Sequence, residues 1–284
     1  MSDKGKLMPM LVKDRVYSRY LRPFSLVEIL KLRCGYEKSF KLTDGHLLCN
    51  RYLLGIDKAD LDDDKLSFIC DQLEMPAQFR LQLSDHLADA NLVLLGFEQG
   101  VEDCTYKIYL EYWDKVRSSR QPCDDKPETL FLGYKWSAFD NRRAALTCYR
   151  YFPALTVAGM IKRISSLNAS DDHSATFDVA GQIVAHSAQR ASSPAFRFLE
   201  ATEADSPRKS FDINLYAAGL NLQDIYPGLK NLCDDYSVSI EELDRLFGRV
   251  GSCTLGHLSG GLDRKGKVFF SVYYEASTEA SADQ

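Results

Sequence analysis

Apolar positions along the 284-residue chain follow two periods that alternate with one another. Over residues 105–113, Tyr106, Ile108, Leu110 and Tyr112 interleave with Lys107, Tyr109, Glu111 and Trp113, which is the period of two that a half-buried strand imposes. Residues 130–137 repeat it, with Leu130, Leu132, Tyr134 and Trp136 against Phe131, Gly133, Lys135 and Ser137. Similar runs occupy 91–97, 144–152, 195–201, 210–218, 253–258 and 267–274, and 39–56 is split by Asp44-Gly45, a hairpin signal. The runs come in pairs joined by short polar turns. This predicts about five hairpins, and so about ten strands, spaced roughly fifty residues apart.

Helical spacing fills the intervals. Leu26, Ile29, Leu30 and Leu32 follow Pro23 and a Ser25 cap, predicting a short helix. Leu66, Ile69, Cys70 and Leu73 follow the acidic run 60–64, and Pro76 opens a stripe of Phe79, Leu83, Leu87 and Ala90. Further stripes start at Val157, Leu222 and Ile240. Residues 115–128 read as a polar link, and 168–193 have no assignable period but room for a helix. Two strands joined by a short turn must pair antiparallel, and an open sheet of about ten strands curls. Closure removes both edges. The fold class expected is α+β: an antiparallel β-barrel built from repeated hairpin–helix units, with its helices outside. The divisions are 1–37 as an N-terminal helical segment, 38–275 as one barrel domain, and 276–284 as a disordered tail.

The helices need the apolar strand faces to pack against, so the opposite faces line the lumen. That set holds Lys107, Tyr109, Lys135, Arg197, Asn214, Tyr216, Ser271 and Tyr273. Cations, hydroxyls and aromatic faces together suit a ligand with an anionic head and an apolar body. An open sheet with one wet face would produce the same alternation.

Composition narrows this. A net charge of −5, from 35 basic and 40 acidic side chains, provides no overall field for nucleic acid. No apolar run approaches a membrane span and the first residues carry no leader-like stretch, so a cytoplasmic protein without membrane insertion is expected. The eight cysteines form no C-x-x-C pair and read as reduced thiols. No histidine spacing suggests a metal, and Asp60 to Asp64 read as a helix start, not a magnesium site. P-loop, G-x-S-x-G and G-x-G-x-x-G motifs are lacking. Arg142-Arg143, Arg208-Lys209 and Arg264-Lys265 are expected as solvated turn residues, and Gly260-Gly261 as part of a turn 259–266. His257 beside it could act as an acid or base at a barrel mouth.

Lys107-Ile108-Tyr109 and the closing run Phe269-Phe270-Ser271-Val272-Tyr273-Tyr274 make residues 38–275 resemble the ABBA-type aromatic prenyltransferases. The resemblance implies a ten-stranded barrel around a solvent-filled chamber, in which basic-x-Tyr pairs hold an isoprenoid diphosphate and tyrosines shield an allyl cation. It places Lys107, Lys135 and Arg197 on the leaving anion, Asn214 and Ser271 as further substrate contacts, and Tyr109, Tyr216 and Tyr273 around the carbocation. Glu98 would hydrogen-bond or deprotonate the acceptor. The partners implied are an allylic diphosphate and an aromatic small molecule, in secondary metabolism. No cofactor is expected, Mg2+ being possible but not required. The alternative is a non-catalytic accessory protein using the same surface for a hydrophobic ligand or peptide.

Overall fold

The structure, a computed structural model, describes residues 4–119, 126–168 and 174–277. Five hairpins carry the strands: β1 (Gly35–Thr43) with β2 (His46–Asp57), β3 (Leu92–Gln99) with β4 (Cys104–Glu111), β5 (Glu128–Ser137) with β6 (Ala144–Tyr151), β7 (Arg197–Glu203) with β8 (Lys209–Asn214), and β9 (Leu255–Leu262) with β10 (Val268–Ser277). Each strand pairs antiparallel with its neighbours in sequence, and β10 pairs with β1, so the sheet is a closed barrel. At the seam Ser39 stands opposite Tyr273 and Lys41 opposite Ser271. The barrel begins at Gly35 and its last strand runs to Ser277, slightly wider than expected. Of the tail expected over 276–284, the first two residues belong to β10, and 278–284 lie outside the described residues.

Eight α-helices among the described residues are α1 (Lys4–Ile29), α2 (Asp63–Gln72), α3 (Ala77–Leu87), α4 (Trp113–Ser119), α5 (Val157–Ser166), α6 (Ser174–Ser187), α7 (Leu222–Asp235) and α8 (Ile240–Val250). The outward strand faces and the helix stripes form two large cores, beside a small cluster of Val116, Leu130, Tyr151 and Leu199. Tyr106, Tyr134 and Trp136 pack with Leu66, Ile69, Phe79 and Leu83, and Phe211, Phe270 and Val272 belong to a core shared with Ile183, Leu229 and Phe247. Fully burying such a side chain stabilises by about 1.5–3 kcal/mol. Buried polar tips are also satisfied: Trp136 Nε1 donates to the Leu73 carbonyl at 2.9 Å. Among the described residues no helix is long and apolar enough to cross a membrane.

Several elements differ from expectation for physical reasons. Helix α1 is far longer than the short helix expected after Pro23, and it runs through that proline. Proline at position 23 frees the Arg19 carbonyl four residues earlier, and Tyr106 donates its hydroxyl to that oxygen at 3.1 Å. The polar link starts with α4, and the unassigned stretch contains α6. Within those two stretches, residues 120–125 and 169–173 lie outside the described residues. As expected, the aspartate run is a helix start: Asp62 accepts the Lys65 backbone N–H at 2.8 Å, outside the barrel. Residues 216–218 form a 3-10 turn after β8, not a strand. Gly260 and Gly261 lie within β9 and not in a turn. Gly261 has φ +125°, and a Cβ there would come within 2.5 Å of the Lys209 carbonyl on β8, so glycine permits close strand approach.

Candidate active site

The inward faces leave two cavities in the barrel, about 610 Å³ at the end bearing the hairpin turns and about 280 Å³ at the other. Tyr109, Tyr149, Tyr273 and Asp212 line both and so stand between them. The period of two sets this out along single strands. On β4, Lys107, Tyr109 and Glu111 succeed one another from the wide end to the narrow one, and on β1 Lys41, Ser39 and Glu37 do the same.

The wide end is cationic: nine Lys and Arg side chains line it against six carboxylates. Lys107 and Lys135 are directly opposite on β4 and β5, a like-charge pairing that costs stability unless countercharge is near. Glu98 on β3 supplies it, 2.5 Å from Lys107 Nζ and 3.5 Å from both Lys41 Nζ and Arg51. Burial pushes the Glu98 carboxyl up, but Arg51, Lys107 and Lys41 outweigh it and hold it well below the usual range. Burial lowers Lys107, and Glu98 restores part, leaving it at about 8. Lys135 is held well below an ordinary lysine by burial and by the neighbouring Arg208 and Lys107. Its ammonium donates to the Tyr149 hydroxyl at 2.9 Å. On the opposite wall Glu203 accepts from Thr147 at 2.7 Å and from Arg264 at 3.3 Å, with Arg208 at 3.7 Å. Among the described residues, the buried Nε atoms of Arg51 and Arg208 find no hydrogen-bond partner. Unmet donors in an excess of positive charge are what a multivalent oxyanion satisfies.

The boundary between the cavities is aromatic. Tyr109 and Tyr149 meet edge to face with centroids 5.8 Å apart, and Lys135 Nζ lies 5.7 Å and 5.3 Å from the two rings. Arg51 lies 5.9 Å from the Tyr273 ring. Gly133 faces Tyr109 across the β4–β5 ladder, and a Cβ there would be 2.7 Å from a Tyr109 ring carbon. Burial pushes the Tyr109 and Tyr273 hydroxyls above the ordinary phenol value, so these rings stay neutral.

The narrow end is acidic and imidazole-bearing, with an apolar wall that includes Leu53, Leu94, Phe131 and Leu199. His257 on β9 places Nδ1 3.0 Å from Asp212 and Nε2 3.8 Å from Glu37, with the Asn214 amide 3.1 Å from Nε2. Burial would lower His257, but Glu37 and Asp212 raise it to about 9, so it is an imidazolium at neutral pH. Glu37 accepts the Tyr216 hydroxyl at 2.5 Å. Burial raises Glu37 despite His257 and Tyr216. Arg197 stacks 4.6 Å from the Trp113 ring, and burial raises the nearby Glu111.

The expected lumen residues all face inward, but at different heights. Lys107 and Lys135 reach the wide end, with Ser271 accepting from Arg51 at 2.9 Å. Arg197 and Asn214 stand in the narrow end, away from the cation cluster. Tyr109 and Tyr273 form the boundary, whereas Tyr216 sits with Glu37 in the narrow end, and Tyr149 takes its expected place. Glu98, expected toward an acceptor, belongs to β3 and stands among three cations. Arg208 and Arg264, expected as solvated turn residues, reach Glu203 inside the barrel. Lys41, Arg51, Glu37, Asp212 and Tyr149 were missed, although each occupies the inward parity of its strand.

The architecture is that of the ABBA-type aromatic prenyltransferases, a closed ten-stranded antiparallel barrel with its helices outside. The chain superposes on PriB in a binary complex with product diphosphate, with a TM-score of 0.54, 11% identity, and coverage of 88% of this chain and 83% of that one. It is similarly close to 6-dimethylallyltryptophan synthase from Micromonospora olivasterospora in complex with DMASPP and Trp (0.55, 12%, 84% and 81%). NotF in complex with brevianamide F and DMSPP matches at 0.53, with 14% identity and 87% and 81% coverage. No family model matches the sequence, and no curated protein does.

Proposed function

We propose that this protein transfers a prenyl group from an allylic diphosphate to an aromatic small molecule. The observation that carries the proposal is the tyrosine boundary, Tyr109, Tyr149 and Tyr273, between a cation-lined and an acid-lined cavity in one lumen. The diphosphate lies among Lys107, Lys135, Arg51 and Arg208, whose donors and positive charge stabilise the anion as the allylic carbon–oxygen bond breaks. The tyrosine faces stabilise the cation left behind, and the walls keep water from trapping it. The acceptor ring in the narrow end attacks that carbon, forming the new bond. Glu37, with a raised affinity for protons and a place beside the acceptor, receives the ring proton in the final step. Glu98 is too strongly held as an anion for that role. The site supplies positive charge to the diphosphate from its own side chains.

The test is calorimetric titration of dimethylallyl diphosphate into the protein and into Lys107→Ala, followed by mass spectrometry of mixtures with phenolic and indolic acceptors. Binding heat that vanishes in the variant, together with a prenylated product, supports the transferase. Failure to bind any allylic diphosphate ends that reading and leaves the barrel as a carrier of some other ligand.

A further inference from the structure

Two of the carboxylates paired with the cations of the wide end, Glu203 and Glu98, have different surroundings. Glu203 is 2% exposed and tied to Thr147, Arg264 and Arg208, a wall position held from several sides. Glu98 is 17% exposed, and its partners are the cations Lys107, Arg51 and Lys41, all of which line the wide cavity. A cavity shaped only for the tightest grip on an oxyanion would not place a carboxylate against three of its cations, because like charges at a few ångströms repel strongly in a low-dielectric site. Glu98 takes the inward parity of β3, which Gly96 and Leu94 continue toward the narrow end, so the strand fixes its direction but not its charge.

We propose, resting on the donor reading above, that Glu98 is a resident counter-anion from which an incoming diphosphate must draw Lys107 and Arg51. It holds the cations together between turnovers, and then competes with the product diphosphate for the same donors. The consequence is a weaker grip and faster release of that product. Glu98 is therefore a positioning residue, acting through Lys107 and Arg51 and not on the reacting carbon.

Inorganic diphosphate is the probe. It is titrated calorimetrically into the wild type, Glu98→Gln and Glu98→Asp, at a pH below the value of about 8 to which burial brings Lys107, and its release is followed by stopped-flow displacement. Glu98→Gln is expected to bind about tenfold more tightly and to release about tenfold more slowly. Glu98→Asp, which keeps the charge, is expected to stay within about threefold of the wild type. Glu98→Ser removes the charge with a smaller side chain and is judged by the same criterion if the glutamine variant does not fold. Equal or weaker binding by the charge-removed variant, with binding by the wild type intact, overturns the role of Glu98 and leaves the donor site standing. No diphosphate binding by the wild type overturns both.

Discussion

The two ends of the lumen are made from the same strands, yet their chemistry is opposite. Nine basic side chains line the wide end, where burial and crowding pull lysines toward neutrality. In the narrow end Glu37 and Asp212 keep His257 charged, to about 9. One strand serves both: Lys107 and Glu111 are four residues apart on β4, with Tyr109 between them. Polarity in this barrel is thus organised by height along the axis, and the tyrosine layer separates a place for a leaving anion from a place for an acceptor proton.

That separation predicts that each end can be damaged alone. Arg51→Met should weaken diphosphate binding by about 10²- to 10³-fold, because a buried charge-assisted contact is lost, while acceptor binding by calorimetry stays unchanged. An equal loss at both ends would break the comparison. Glu37→Gln should lower turnover by about 10²-fold with the diphosphate affinity intact, as measured by steady-state kinetics and titration. Gly133→Ala should cost about 1–3 kcal/mol in urea unfolding, since its Cβ would force the Tyr109 ring to move. The same variant should leak, yielding the hydrolysed prenyl alcohol as a larger share of product.

The smallest effect expected is a pH slope. His257 is raised in the folded protein from its ordinary 6.5 to about 9, so its contribution to stability is fully present below about 6.5 and is lost as pH rises through 9. The slope between those values is at most about 1.4 kcal/mol per pH unit, and His257→Gln should flatten it in denaturation curves taken across the range. An unchanged slope would detach His257 from its two carboxylates.

Much of the barrel was readable from the alternation in segments such as 105–113, where an apolar face for the helices leaves Lys107 and Tyr109 no direction but inward. Height was not readable, because the period of two gives a side without giving a level. Arg197 was therefore grouped with the cations of the far end, and Tyr216 with the boundary tyrosines Tyr109 and Tyr273. Arg208 and Arg264 flank the ends of their strands, and only the curl of the sheet turns them onto Glu203. His257 is placed at a barrel mouth by the sequence, but Gly260 and Gly261 resemble a turn there while they serve the β8–β9 contact within the same strand. Likewise, Pro23 conceals the length of α1 because the partner of the freed carbonyl, Tyr106, is remote in sequence.

The β1–β10 seam has a kinetic consequence. Arg51 on β2 and Ser271 on β10, the two strands that flank β1, form a hydrogen bond across 220 positions of chain. A nascent polypeptide emerging from the ribosome can assemble its early hairpins, but nothing can complete the ring until the final ribbon has been synthesised. Throughout that interval the first strand keeps an unpaired margin able to recruit a neighbouring molecule, which makes this protein's solubility during biosynthesis depend on how promptly its last hairpin arrives.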